Sequence, residues 1–218
     1  MKLRIGAPES LARYVARQLD HLFPDADPAG DVDRLAQVMP AATERLRPIL
    51  ASVRAFTPDY FDHFNSLQYA SFLYLLGNEL WRDTSAKSLA ERLFCLNRAL
   101  NALDLFPAVS LPEVFFISHG LSSVLGNVTY GNRLVLFQNV TVGRIGDDKP
   151  QVGSDVVLYP GATVTGRSTI GNNCVVAAGT VVHNQTVPDD SIVGTRGGEL
   201  VVSPRKKDYI GLYLRTLR

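Results

Sequence analysis

At 218 residues, with 46% hydrophobic and 20% charged residues, the chain has an ordinary globular composition and length for one large domain or two small ones. A formal net charge of +1, with Arg205-Lys206-Lys207 as its one basic run, excludes the electrostatic footprint of a nucleic-acid or anionic-membrane binder. Cys95 and Cys174 are far apart and lack metal or redox spacing, so no disulfide framework is indicated. The opening MKLRIGAPES carries no apolar signal core, and the most apolar stretch, Leu67 to Leu76, is well short of the roughly 20 residues that span a bilayer. The expectation is a soluble, cytoplasmic protein.

Residues 1–103 read as helices. Leu11, Tyr14, Val15, Leu19, Leu22 and Phe23 recur at helical spacing, and Pro24 closes the element. Pro24 to Asp33, rich in Pro, Asp and Gly, predicts a loop. A weaker helix is expected from Arg34 to about Phe56, interrupted at Pro40 and Pro48. Phe64 to Trp81 is apolar on nearly all sides, the mark of a helix enclosed by several neighbours. Ser88 and Glu91 have the spacing of a capping box, opening a helix with the stripe Leu89, Leu93, Leu96 and Leu100.

After Asp104 the periodicity changes. Val152, Leu158, Val164, Ile170, Val176 and Val182 repeat every six residues. Four positions after each stand Val156, Ala162, Ser168, Cys174, Thr180 and Thr186, a small or β-branched set. Running the frame backwards reaches Val128, Leu134 and Val140. A residue repeated every six positions faces inward throughout when each hexad makes one flat step and one corner. Coils then stack at the inter-strand spacing of about 4.8 Å. Gly153, Gly171 and Gly194 each follow an aliphatic position and are expected at tight corners. The fold class that follows is α+β, a helical N-terminal domain (1–103) ahead of a parallel β-helix of hexapeptide repeats (104–202), with a C-terminal tail (203–218).

Three stretches carry a family resemblance: Asp104-Leu-Phe-Pro107, His119 fifteen residues after Asp104, and Phe137-Gln138-Asn139-Val140-Thr141-Val142-Gly143. On these the chain resembles the hexapeptide-repeat acyltransferases, and among them serine O-acetyltransferase, over about Phe64 to Val202. The resemblance implies a left-handed β-helix and acetyl-CoA as co-substrate. It also implies a homotrimer with active sites between protomers, with pairing of trimers into hexamers left open. By the same resemblance His119 is the catalytic base, Asp104 its orienting carboxylate and the backbone near Gly143 the oxyanion donor. Ala178 and Gly179, in the stretch Ala177-Ala178-Gly179, correspond to the coenzyme-contacting residues.

The chemistry suits the residue types. Transfer from a thioester to a hydroxyl or amine needs a base, a group that orients it and a donor for the oxyanion. Imidazole titrates near neutral pH. Taken alone, His119 reads as a packed or surface histidine before it reads as a base, and Asp104 reads equally as a turn or helix-end residue. His21, His63 and His183 have no metal-ligand spacing, and no metal is expected.

The match breaks at the acceptor side. Ser118 stands where the family has an aspartate, and Asp148-Lys149-Pro150 replaces an Arg-His-Pro segment in a shortened loop. Ser118, Asp148 and Lys149 are therefore the candidate acceptor-contacting residues. Without the arginine fork a substrate carboxylate loses a bidentate partner. The acceptor is then a small molecule, an amino acid or a sugar or nucleotide sugar in place of L-serine. The alternative of another class is a non-catalytic β-helix scaffold.

Overall fold

In the computed structural model, which describes residues 1–24 and 28–216, the chain divides into two compact units. The first comprises Met1–Ala51 and Phe56–Ala108; the second comprises Ser52–Ala55 and Val109–Arg218.

The first unit is helical. Strand β1 (Lys2–Leu3) pairs in parallel with β2 (Tyr60–Phe61). Helix α1 (Pro8–Leu22) starts with proline in its first turn, where the absent N–H has no partner to lose. It buries Leu11, Ala12, Val15, Ala16 and Leu19, whereas Leu22 is exposed. Helix α2 (Pro28–Ser52) is longer than the sequence suggests. Residues 25–27 of the expected loop lie outside the described residues, but Pro28 to Asp33 is already helical. Pro40 and Pro48 do not interrupt it. A proline inside a helix costs about 3 kcal/mol. That cost is outweighed by the opposite face, where Leu35, Met39, Ala42, Leu46, Ile49 and Leu50 are all buried at spacings of three and four.

Helix α3 (Ser66–Trp81) is capped by Asn65, whose side chain accepts from the N–H groups of Leu67 and Gln68, and is buried nearly all round as expected. Helix α4 (Lys87–Asn101) does not use the anticipated capping box. A 3-10 turn, Thr84–Ala86, precedes it, and Asp83 caps that turn by accepting from Ser85 N–H, so Ser88 already lies inside the helix. Leu89, Leu93 and Leu96 are buried while Leu100 is exposed, and Cys95 is only half-buried. Arg92 of α4 lies 2.5 Å from Asp31 of α2 and donates to the Phe23 carbonyl at 2.8 Å. Both partners of that ion pair are nearly enclosed, so removing either would strand a buried charge. Strand β3 (Leu103–Leu105) follows, after Ala102 closes α4 in the left-handed conformation.

The second unit is a parallel β-solenoid. One ladder holds β4 (Phe115–Ile117), β7 (Leu134–Leu136), β10 (Val157–Leu158), β13 (Val175–Val176) and β16 (Ser191–Arg196). A second holds β5 (Ser123–Leu125), β8 (Thr141–Gly143), β11 (Thr163–Thr165) and β14 (Val181–His183). The third holds β6 (Thr129–Tyr130), β9 (Gln151–Val152), β12 (Thr169–Ile170) and β15 (Thr186–Val187). From Val152 to Val182 every sixth residue is buried, as the sequence requires.

The backward and forward extensions of the frame are corrected by the pairing. Leu136 lies opposite Leu158 and Val142 opposite Val164, so the aliphatic positions of the early coils are Tyr130, Leu136 and Val142. Val128, Leu134 and Val140 are buried because they occupy the small-residue position two earlier, which also faces inward. At the other end Ile170 lies opposite Val187, so one hexad is a residue short and Thr186 faces solvent.

The glycines are explained differently from the expectation. Gly153 and Gly171 do not have positive φ. They stack under Gly131, and a Cβ on Gly131 would stand 2.4 Å from Gly153 carbon, one on Gly153 2.7 Å from Gly171 carbon. Coil-to-coil approach, not backbone conformation, requires glycine there. Gly194 is under no such pressure. The left-handed corners are occupied by Arg133, Asp155, Asn173 and Asp190 in one column, with φ between 57° and 62°. Asparagine and aspartate tolerate that conformation best after glycine.

The segment beyond 202 is not a free tail. β17 (Glu199–Pro204) pairs antiparallel with β16 through a Gly197-Gly198 turn, and the chain then returns to the solenoid. Tyr213 packs against Phe137 and Tyr159, with ring centroids at 5.3 and 6.5 Å, and the two tyrosine hydroxyls are 3.1 Å apart. Arg215 donates to the Val53 and Arg54 carbonyls, and Arg133 to the Arg215 carbonyl. Ile210 and Leu214 are buried. Residues 217–218 lie outside the described residues. Tyr213→Ala removes this packing, so chemical unfolding should show a loss of about 1–3 kcal/mol, and an unchanged midpoint would contradict the docking. Thr180 is fully buried and its hydroxyl has no partner among the described residues. Thr180→Val, equal in shape, is therefore expected to raise stability by about 1 kcal/mol in the same assay.

Candidate active site

The repeat itself locates the site by where it is violated. Ser118, Phe137 and Tyr159 are equivalent on successive coils, since their N–H groups bond to Leu136, Leu158 and Val176 carbonyls in turn. Beyond the corner, Leu121, Gln138 and Pro160 are equivalent, because their carbonyls accept from Asn139, Gly161 and Gly179. Between these matched columns the first coil has two additional residues, His119 and Gly120. The inward residues on either side, Ile117 and Ser123, are 2% and 0% exposed and pin the flanks, so the extra pair must leave the coil outward. His119 is exposed and sits at φ 50°, a conformation uncommon for a residue with a Cβ. Ser118, by contrast, is buried, which withdraws its side chain from the surface where an acceptor would lie.

The second violation is the loop after Gly143. Val142 to Val152 spans ten residues where the repeat needs six. Within it Ile145 and Asp148 exchange backbone hydrogen bonds at 3.0 and 3.1 Å, making a tight turn. The Asp148 carboxylate lies 3.4 Å from Arg167 Nε, both groups substantially exposed. Lys149 is exposed beside it. Gly143 ends β8 opposite Thr165, and a Cβ there would meet nothing within 4 Å, so the strand edge is open to approach at that point.

Ala178 and Gly179 are exposed at a corner three coils along from the His119 insertion, Gly179 at φ 67° with its N–H bonded to the Pro160 carbonyl. Asp104 belongs to the first unit, where its carboxylate is 3.6 Å from Arg98 Nε and about half exposed. Arg205 pairs with Asp208 at 3.6 Å, and Lys207 lies over the Tyr209 ring at 4.8 Å, so part of the basic run is engaged locally.

The surroundings of two further side chains narrow the chemistry. Burial, then the Tyr213 hydroxyl, push the Tyr159 phenol well above the usual tyrosine range, so it stays protonated and is no base. Burial likewise raises the Cys174 thiol, which packs inside the coil with its sulfur 3.1 Å from the Pro188 carbonyl; it is no nucleophile. Among the described residues no group of three metal-ligating side chains is assembled. No described helix is long and apolar enough to cross a membrane.

The family described as "Bacterial transferase hexapeptide (six repeats)" matches residues 149–184, the cleanest part of the solenoid. Serine acetyltransferase of Bacillus subtilis (strain 168) is 32% identical over 141 residues, covering 59% of this chain and 64% of that protein. This chain is similar to the serine acetyltransferases. It spans less than two thirds of the length of the first curated relatives it matches. Among solved structures, serine acetyltransferase from Brucella abortus strain S19 in complex with coenzyme A superposes with a TM-score of 0.70 at 20% identity, covering 93% of this chain and 84% of that one. The Neisseria gonorrhoeae serine acetyltransferase in complex with serine gives 0.71 at 22%, covering 90% and 83%. These superpositions support the architecture of helices followed by a β-solenoid.

The two-residue insertion carries a direct test. Deleting His119 and Gly120 restores the repeat's corner, so the solenoid should keep its stability within about 1 kcal/mol of the parent. A collapse of the thermal transition would show that the pair holds the coil together.

Proposed function

We propose that this protein is an acyltransferase that moves the acetyl group of acetyl-CoA to the hydroxyl of a small acceptor, with His119 as general base. The observation that carries the reading is the extrusion of this imidazole from an otherwise regular coil. A core residue needs no insertion, and the pair stands outside the hydrophobic repeat. The similarity to serine acetyltransferases, one of which is a coenzyme A complex, supports acetyl-CoA as the donor.

The chemistry runs in two steps. His119 takes the acceptor's proton as the oxygen attacks the thioester carbonyl, and a backbone N–H near Gly143 receives the oxyanion. The tetrahedral intermediate then expels the coenzyme A thiolate, which takes the proton back from the imidazolium and leaves as the thiol. Asp104 is assigned the orienting role by resemblance, Ala178 and Gly179 the contact with coenzyme A. The reacting assembly is assigned as a trimer on the same ground, to be read from the mass in solution.

The acceptor side favours a substrate other than L-serine. Ser118 cannot provide the carboxylate suited to an amino group, and it is buried besides. Asp148 places negative charge in the loop where a carboxylate-binding arginine would serve, although Arg167 beside it offsets part of that charge. A sugar or nucleotide-sugar hydroxyl avoids both conflicts.

The expected outcome is that purified protein releases coenzyme A thiol with an acceptor from a panel of sugars, nucleotide sugars and L-serine. His119→Ala should lower the rate by about 10²–10⁴-fold while coenzyme A affinity changes little. Retained activity in that variant would remove His119 from the mechanism. Efficient turnover of L-serine would overturn the acceptor assignment alone, and absence of coenzyme A binding would favour a scaffold role.

A further inference from the structure

Helix α1 presents Ser10, Arg13, Tyr14 and Arg17 at spacings of three and four, which places them on one face. With Ile5 they line a cavity of about 320 Å³ in the first unit. That volume is at the low end of small-molecule sites, which run from about 300 to 1,000 Å³.

Arg13 and Arg17 are exposed, and among the described residues neither guanidinium has an ion-pair or hydrogen-bond partner. Elsewhere in the same unit Arg4, Arg45, Arg47, Arg82, Arg92 and Arg98 each meet a carboxylate. Partners were available, since Glu9 lies four residues before Arg13 and Asp20 three after Arg17. Two guanidiniums with no carboxylate partner among the described residues instead border one cavity. Behind them the Tyr14 ring is held edge-on by His63 at 4.9 Å and by Tyr69 at 6.0 Å, giving the cavity a fixed aromatic wall.

The geometry points to a binding site for a compact dianion, a phosphate monoester or a short dicarboxylate. Each planar guanidinium grips a pair of anionic oxygens, and the Ser10 and Tyr14 hydroxyls supply further donors. Ile5 supplies an apolar wall for a few carbons of the ligand. The first-turn position of Ser10 adds the favourable end of the helix dipole. This site is independent of acetyl transfer.

Calorimetric titration of the full chain with inorganic phosphate, glycerol 3-phosphate and succinate, at constant ionic strength, tests it. The expected result is saturable binding of at least one of these, one per chain. Affinity should fall at least tenfold in the Arg13→Gln/Arg17→Gln double variant. It should be retained in Arg196→Gln, which removes an exposed guanidinium from the β16–β17 hairpin. The double Lys variant keeps both charges but loses the forks and should also bind at least fivefold more weakly; it serves if the Gln variant fails to fold. Which probe binds separates a phosphate ester from a dicarboxylate. Binding of none of the three, or binding unchanged in the folded double variants, would overturn the proposal.

Discussion

Stacking of one coil on the next is the constraint on which the second unit depends. Every interior parallel rung takes its backbone partners from the rungs before and after it, so a coil cannot shift without unpairing its neighbours. Two inward residues per hexad, one aliphatic and one small, hold the register from inside. Glycine columns let the corners meet: Gly131, Gly153 and Gly171 approach so closely that a methyl group on any of them would press into backbone or the Asp189 side chain. Side chains extend the same ladder at the surface. Asn132 N–H donates to Ser154, Ser154 N–H to Asn172 and Asn172 N–H to Asp189.

Such a lattice makes irregularity informative. A helix bundle absorbs an extra residue by rotating or fraying, and the insertion leaves little trace. In a solenoid the next rung fixes both ends of the disturbed corner, so surplus residues can only go outward. His119-Gly120 and the loop beyond Gly143 are the two largest such surpluses in the early coils. Each displays polar atoms where the regular repeat would have presented a flat corner. The shortened hexad before Val187 is the opposite case, removing a residue without exposing one from the core.

The repeat was legible because six consecutive aliphatic positions have one geometric solution. Its phase outside Val152–Val182 was not, because both inward positions of a hexad accept valine or leucine. Val128, Leu134 and Val140 satisfy either assignment, and pairing alone distinguishes them. The His119 insertion was nevertheless visible in principle: Ile117 to Leu125 is eight residues in a pattern of six. In the first unit, α3 was plain from its apolar content. The prolines of α2 and Ser88 in the first turn of α4 misled because local preference of a few kcal/mol yields to burial of a whole helix face. The segment 205–216 looked like a charged tail since its anchors, Ile210, Tyr213, Leu214 and Arg215, are too few to show periodicity.

The two units also differ in how they can change. In the solenoid each surface position is tied by the rungs on either side, and new chemistry arises through insertions at corners. The helical unit has no such repeat, and its surface side chains are selected one at a time. Arginines there are mostly consumed in ion pairs, including the enclosed Arg92–Asp31 contact. Against that background two neighbouring guanidiniums without a carboxylate among the described residues, backed by a tyrosine packed edge-on, depart from the local rule as an extruded histidine departs from a coil. In both units function is sought where the physical requirement for folding has already been met and residues remain that it does not need.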